Sequence, residues 1–335
     1  MDPITQGTIG AAAAQTRANR TSMVAFSIFG ALAGLAPDLD VFITSSTDPL
    51  LFLEYHRHFT HALIFIPFGA AIVTLALFKL FNHGLTFKQA YLASLLGYAT
   101  HGLLDACTSY GTQLFWPFSD MRVSWNNVSV VDPLFTLPFL GCVIAAVVTR
   151  RSFWTWTGIT WAVAYLLLGL VQLQRATDGA EALAAARDHK PARLTMKPSF
   201  ANLLVWKSIY EHNNHYYVDA IRTGTTVTVC DGAKVEKLDL AQHLPGLDPN
   251  SQQARDVERF RWFSQDYLSP LPEHGLISDM RYSLVPDEVD PMWGIRVDVN
   301  KPPQAHVDWW SSRELSEAKR TRFWNLLNGS SCRQL

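Results

Sequence analysis

The sequence predicts a membrane-embedded bundle of α-helices followed by a soluble α+β domain. Three observations support this fold class. The first 175 residues or so form a series of apolar runs, whereas charged and polar residues dominate the remainder. Five of the runs follow one another closely, and aromatic residues stand near their ends. Segments in which apolar and polar residues alternate occur only beyond about residue 190, where they indicate strands.

The five apolar runs have the length of membrane-spanning helices, with one exception. A helix needs about 20 largely apolar residues to cross a bilayer, and about 17 at the short end. Ala90–Leu104 has only 15 residues and contains His101, so it spans only together with its flanks. The other runs are Thr21–Pro37, Ala62–Phe78, Pro133–Thr149 and Phe153–Leu173. Ile4–Ala14 is too short to span, and we predict a short, half-inserted helix there.

Basic residues in the short loops predict the orientation of these helices. The richer side carries Arg17, Arg20, Lys79, Lys88, Arg150 and Arg151, and the other side carries Arg57 and Arg122. The positive-inside rule places the richer side in the cytoplasm. The loops 44–61 and 105–132 and the C-terminal domain are then predicted to face the periplasm of a bacterial inner membrane.

The polar part of the chain predicts a soluble domain with both helices and strands. We divide the chain into a membrane domain (1–175), a helical connector (176–190) and a soluble domain (191–335). Predicted strands are Leu203–Glu211, Tyr216–Arg222, Thr225–Cys230, Ile277–Leu284 and Gly294–Val299, with helices at Gln252–Tyr267 and Arg313–Leu327. Asn213 and Asn214 predict a turn. The four cysteines form no CxxC pair and leave one disulfide in this domain open. The net charge of −1 argues against a nucleic-acid partner.

The apolar half contains ionisable residues that membrane helices normally avoid. Such groups cost several kcal/mol at membrane depth unless they are paired or hydrated, and they usually mark function. They are Asp38, Asp40, His56, Arg57, His58, His61, His101, Asp105 and Asp132. Under the predicted topology each falls at the periplasmic end of its span. Four separate segments thus bring aspartate and histidine to one level of the bilayer.

This set of residue types predicts a metal site. His101 and Asp105 are four residues apart, so one face of a helix presents both. Mixed sets of histidine and aspartate are typical of hydrolytic centres, with zinc or manganese as the metal. We expect Asp38, Asp40, His56, His61, His101, Asp105 and Asp132 to hold the metal, and His58 to face solvent. Asp40 or Asp105 would act as general base, and Arg57 would either neutralise these acids or bind a substrate anion.

The ordered set of motifs resembles the YdjM-like family of inner-membrane proteins over about residues 1–175. The motifs are Met-Asp-Pro-Ile-Thr-Gln, Gly-Ala-Leu-Ala-Gly-Leu-Ala-Pro-Asp-Leu-Asp, His-Arg-x-x-Thr-His, His-Gly-Leu-Leu-Asp, Tyr-Gly-Thr-Gln-Leu-Phe-Trp-Pro-Phe-Ser-Asp and Val-Asp-Pro-Leu-Phe-Thr-Leu-Pro. The resemblance implies a metal-dependent hydrolase, and some members are described as LexA-binding. It places the metal on the seven residues named above. Many relatives have histidine where this chain has Gln6, which leaves an N-terminal ligand open.

The function stays open between three classes. A hydrolase at the membrane boundary would act on a lipid or lipid-linked substrate, and a distant similarity of the family to zinc-dependent phospholipase C enzymes implies a phosphoester. A transporter or ion-binding protein would use the same groups as a relay, but a relay should place acids at several depths. A regulatory protein would bind a cytoplasmic partner, although the predicted topology leaves few residues in the cytoplasm. We therefore favour the hydrolase.

Reporter fusions test the predicted orientation. Reporters within Ser45–Asp48 or after Leu335 should behave as periplasmic, and a reporter near Asn82 as cytoplasmic, because basic residues retain their loops in the cytoplasm. Paired alkaline phosphatase and fluorescent-protein fusions provide the measurement. A cytoplasmic C-terminus would contradict the orientation and remove the site from the periplasm.

Overall fold

The chain divides into two compact units. The computed structural model describes residues 1–81, 83–272, 275–330 and 332–334. The fusion points Asn82 and Leu335 lie outside these residues. The first unit is helical and comprises Met1–Ile43, Tyr55–Val171 and Phe200–Asn202. The second unit contains the β-sheets and comprises Thr44–Glu54, Gln172–Ser199 and Leu203–Leu335.

The N-terminal half of the chain consists of helices that begin at well-defined caps. They are α1 (Pro3–Gln15), α2 (Met23–Leu35), α3 (Leu51–Tyr55), α4 (Ile66–Phe81), α5 (Phe87–Ala106), α6 (Pro133–Thr149) and α7 (Ser152–Ala186), with 3-10 segments at Ala36–Phe42, Phe59–His61 and Leu63–Phe65. Asp2 accepts a hydrogen bond from the amide of Thr5 at 3.1 Å and so caps α1. Thr86 and Gln89 form a capping box at the start of α5. The short N-terminal helix that the sequence predicts is thus present.

Helices α1, α2 and α5 approach closely because glycines face one another. A Cβ atom on Gly30 would lie 2.4 Å from the carbonyl oxygen of Gly10, and one on Gly97 would lie 2.2 Å from that of Gly30. Small residues allow membrane helices to pack at this distance. His101 lies about one turn after Gly97. This packing therefore brings the polar end of α5 to the end of α2.

Length and composition support three membrane spans among the described residues. These are Met23–Phe42, Leu63–Phe81 and Ser152–Ala186. Helix α6 is apolar but has only 17 residues, and α5 has 20 residues but carries more polar side chains. The helical N-terminal region is confirmed, whereas the predicted number of five spans depends on α5 and α6.

The second unit contains two antiparallel sheets, as the predicted α+β class requires. The five-stranded sheet has the order β1 (Arg193–Pro198), β2 (Val205–His212), β3 (His215–Thr223), β4 (Val227–Glu236), β9 (Arg333–Gln334). The four-stranded sheet has the order β5 (Leu268–Leu271), β6 (Leu276–Asp279), β7 (Trp293–Arg296), β8 (Asp308–Ser311). The helices are α8 (Leu240–His243), α9 (Gln252–Phe263) and α10 (Glu317–Asn328).

In the polar part of the chain the structure contains the predicted turn, but most of its helices and strands begin and end at other residues than predicted. Asn213 and Asn214 both have positive φ, 48° and 60°, as expected for a two-residue hairpin turn between β2 and β3. The predicted connector 176–190 is largely a continuation of α7, which runs without a break to Ala186. Strands β1, β5, β8 and β9 are absent from the prediction, since each is short and at least partly exposed.

A disulfide closes the larger sheet. Cys230 of β4 pairs with Cys332, which precedes β9 and is 102 residues away. Cys107 and Cys142 are free. The bridge links the C-terminal end of the chain to the core of the second unit, where Cys230 is fully buried.

Loss of this disulfide should weaken the second unit. We expect Cys332→Ser to lower its free energy of unfolding by about 2–5 kcal/mol, because the open chain gains conformational entropy when it unfolds. Urea denaturation followed by tryptophan fluorescence measures the change, with Cys142→Ser as the control. Labelling of four thiols, rather than two, in unreduced, denatured protein would contradict the pairing.

Candidate metal centre

Three segments of the first unit carry the polar side chains of the candidate site. Asp38 and Asp40 lie on the 3-10 segment that begins after α2, where Pro37 occupies an early helical position. His61 ends the 3-10 segment Phe59–His61, which precedes α4. His101 and Asp105 lie on the last two turns of α5. The i, i+4 spacing therefore places the last two on one face, as predicted.

Four of these side chains converge on one point. The Nε2 atoms of His61 and His101 are 2.9 Å apart. Oδ1 of Asp38 lies 3.5 Å from the first nitrogen and 3.4 Å from the second. Oδ2 of Asp105 lies 3.4 Å from the first and 3.7 Å from the second. Ligand atoms around a tetrahedral ion with bonds of about 2.0–2.1 Å are about 3.3 Å apart. These five distances are compatible with a tetrahedral metal site, and all four atoms lie within 4.8 Å of one another.

Hydrogen bonds on the far side of each imidazole direct its Nε2 atom to this point. Nδ1 of His101 donates to the carbonyl oxygen of Gly34 at 2.6 Å, which leaves a lone pair on Nε2 when the ring is neutral. Nδ1 of His61 lies 3.2 Å from Oδ2 of Asp40. Such outer partners are typical of metal-binding histidines, because they fix the tautomer and the ring orientation.

Asp40 connects the ligand-bearing segments. Its carboxylate accepts hydrogen bonds from Nδ1 of His56 at 2.8 Å, the amide of Arg57 at 2.9 Å and the hydroxyl of Thr60 at 2.8 Å. Asp40 also forms a second group with Asp38 and His56, whose ligand atoms lie within 4.8 Å of one another. Asp38 belongs to both groups. These contacts make Asp40 the partner that orients His61 and His56.

Asp105 is completely buried and surrounded by donors. Its Oδ1 accepts from Nε2 of Gln6 at 2.8 Å and from the amino group of Met1. Its Oδ2 lies 2.9 Å from Nε of Arg57. Gln6 therefore positions a candidate ligand, which the sequence analysis had left open. Thr60 lies in the motif His-Arg-x-x-Thr-His, but the sequence carries no sign of the hydrogen bond from its hydroxyl to Asp40.

The charge around His61 favours a cation. Burial lowers the pKa of this imidazole, but hydrogen bonds with Asp105, Asp38 and Asp40 outweigh that effect and raise the pKa to about 10. The three carboxylates that stabilise a proton on His61 would also attract a divalent ion. A metal ion would compete with this proton, since a ligand histidine must be neutral.

The structure does not bring Asp132 into either group. Asp132 caps α6 through the amides of Leu134 and Phe135 and accepts a hydrogen bond from Tyr165 at 2.8 Å. Its buried position thus has a structural explanation. His58 packs its ring against those of Tyr55 and Trp116.

Arg57 lies beside the site but is almost completely buried. Its Nη1 atom donates to the hydroxyl of Thr108 at 2.9 Å, in addition to the ion pair of Nε with Asp105. Its guanidinium also lies over the ring of Tyr110, 5.0 Å from the centroid. Of the two roles expected for Arg57, these contacts favour neutralisation of the acids over binding of a substrate anion.

Comparison with known proteins relates the helical half to one family. The family described as YdjM inner membrane protein matches residues 1–176. A curated relative, the uncharacterized protein YfhP of Bacillus subtilis (strain 168), is 29% identical over 108 residues, which are 32% of this chain and 32% of that protein. The chain thus spans about a third of the length of that relative. No solved structure matches this chain.

Substitution of the converging histidines should reduce metal content. We expect purified wild-type protein to contain a divalent metal, and His61→Ala and His101→Ala each to lower its occupancy without preventing membrane insertion, because each removes one ligand atom. Elemental analysis of detergent-purified protein provides the measurement. His58→Ala is the matched control, as this neighbouring imidazole lies outside both groups. Equal metal content in all four proteins would remove these histidines from the site.

Proposed function

Because the chain belongs to the YdjM inner membrane protein family, we propose that it is a membrane-bound hydrolase with a metal centre at Asp38, His61, His101 and Asp105. The observation that carries the proposal is the tetrahedral spacing of two imidazole nitrogens and two carboxylate oxygens. Zinc and manganese both accept such ligands. Tetrahedral spacing with two nitrogen ligands favours zinc, since manganese prefers octahedral oxygen sites.

The residues around the centre would have different roles in hydrolysis. Four protein ligands fill a tetrahedral site, so an ion held by these residues would reach water or substrate only by taking a fifth ligand. It would then act as a Lewis acid on the substrate and lower the pKa of the bound water. Among the four ligands only Asp38 is partly exposed, with 24% of its side chain accessible. The substrate therefore approaches from the side of Asp38. The carboxylate of Asp38 is therefore our candidate for the group that accepts the proton from the attacking water.

In this proposal Asp40 orients the ligand His61, and Asp105 is itself a ligand rather than the general base. We expected one of them to act as general base, but both carboxylates accept several hydrogen bonds from the chain. A carboxylate held in this way orients a histidine or a metal ion more readily than it accepts a further proton. Arg57 places a positive charge 2.9 Å from Oδ2 of Asp105 in these apolar surroundings.

Apolar surface beside the ligands supports a lipid substrate. The 3-10 segment that carries Asp38 also presents Leu39 and Phe42, which are 63% and 78% exposed. An apolar groove of about 530 Å³ runs between α1, α2 and α6, and Gly7 and Leu35 lie along it. Gly7 follows Gln6, and Leu35 stands three residues before Asp38. An acyl chain in this groove would place its polar head near Asp38.

We further propose that α5 and α6 also cross the membrane, which makes five spans, and that the site faces the periplasm. The positive-inside bias supports this orientation. The disulfide between Cys230 and Cys332 supports it independently, because disulfides persist in the periplasm and are rare in the cytoplasm. The second unit would then be periplasmic, and the bilayer would supply the substrate.

Hydrolysis should depend on Asp105. Asp105→Asn keeps the shape of the side chain but removes its charge, so we expect a loss of about 10–100-fold or more in activity or metal affinity. The assay compares pairs of phosphodiesters that differ only in an acyl chain, in nanodiscs, with chelated protein as the blank. We expect faster turnover of the acylated member of each pair.

The matched control for this experiment is Asp132→Asn. Asparagine caps a helix about as well as aspartate, so this variant should retain both its fold and its activity. If no substrate is turned over, but Asp105→Asn abolishes ion flux in proteoliposomes, the protein is a transporter and the hydrolase proposal is wrong. Turnover that is equal with and without the acyl chain would exclude a lipid substrate.

A further inference from the structure

The segment between Asp40 and His56 is packed within the second unit. Thr44–Glu54 belongs to that unit, while the residues on either side belong to the first. Leu50 and Leu53 are 1% and 3% exposed. The ring of Phe52 meets that of Trp309 edge-on, with 5.1 Å between centroids. The segment is therefore anchored by apolar contacts of the kind that hold a core element.

Arg259 of α9 adds an ionic clamp to this segment. Its Nη1 and Nη2 atoms donate to the two oxygens of Asp48 at 3.0 and 2.8 Å. Its Nε atom donates to Glu54 at 2.5 Å. Nη1 also donates to Asp256 on the same helix at 2.8 Å, which orients the guanidinium. One side chain thus holds both the middle of the segment, at Asp48, and its last residue, Glu54.

The two residues at the base of this segment hydrogen-bond to each other. Nδ1 of His56 lies 2.8 Å from Oδ1 of Asp40, sixteen residues earlier in the chain. Bringing the two ends of a flexible loop together costs conformational entropy. A clamp that holds the loop in its folded form removes part of that cost. Asp40 then stays in place to orient His61, whose Nε2 atom faces the candidate metal position.

We propose that Arg259 is a positioning residue of the metal centre. By clamping Thr44–Glu54 it keeps Asp40 and His56 together, and through Asp40 it fixes the orientation of His61. The C-terminal half of the chain thereby contributes to metal binding without supplying a ligand. This inference rests on the metal centre of the proposed function, and its test separates the two.

The first measurement is metal affinity in the full-length protein. We expect Arg259→Ala to weaken Zn²⁺ binding about 10-fold, at the low end of the range for outer-shell partners. The absorption spectrum of bound Co²⁺ should also change, because the geometry at His61 is less fixed. Arg259→Lys should restore part of the affinity, since lysine keeps the charge but not the forked contacts. Asp48→Asn should act like Arg259→Ala, and the double variant should be less than additive.

Arg261→Ala is the matched control. Arg261 lies on the same helix but pairs with Glu258 and Asp266, and the described contacts give it none with Thr44–Glu54. This variant should bind Zn²⁺ and Co²⁺ as the wild type does. If Arg259→Ala binds both metals with the affinity and the spectrum of Arg261→Ala, Arg259 has no positioning role.

The second measurement needs no metal. In chelated protein, hydrogen exchange across residues 44–58 should be faster in Arg259→Ala than in the wild type or in Arg261→Ala. If exchange is faster in Arg259→Ala but the wild type binds no metal, the proposed function is overturned and the clamp stands. If exchange in Arg259→Ala equals that of the wild type, and the wild type binds metal, the clamp alone is overturned.

Discussion

The burial of the Asp105 carboxylate is the constraint on which the first unit depends. An ionised carboxylate among apolar helices is very costly unless charges and hydrogen-bond donors surround it. Gln6 of α1 and the amino group of Met1 approach one oxygen, and Arg57 approaches the other. The partners thus come from separate parts of the chain. These parts must assemble together, because without any one of them a buried charge would lack a partner.

Close packing of helices determines where the histidines can meet. The contact between Gly97 and Gly30 places α5 against α2, and the carbonyl of Gly34 at the end of α2 then accepts a hydrogen bond from His101. Gly102 of α5 allows an equally close approach of the segment that carries His61, since a Cβ atom there would lie 2.4 Å from the carbonyl oxygen of His61. The glycines of the apolar runs are therefore part of the site, although none of them carries a functional group.

Most polar residues of the candidate site are conspicuous in the sequence, but their separate roles are not. Residue type and spacing single out Asp38, His61, His101 and Asp105, because ionisable groups in apolar runs are conspicuous. The same signal selected Asp132, which the structure places at a helix cap away from both groups. Gln6 could not be assigned, since an amide in a short N-terminal helix carries no sign of its distant partner.

The sequence by itself determined the helical apolar half, the sheet-containing polar half and the set of residues from which a metal site could form. These depend on local composition and periodicity, which a single segment displays. Only the tertiary structure decided which oxygen faces which nitrogen, that Asp40 accepts hydrogen bonds from the segment His56–His61, and that Thr44–Glu54 packs in the second unit. Those features depend on contacts between residues far apart in the chain, and no local pattern encodes the distance between two such atoms.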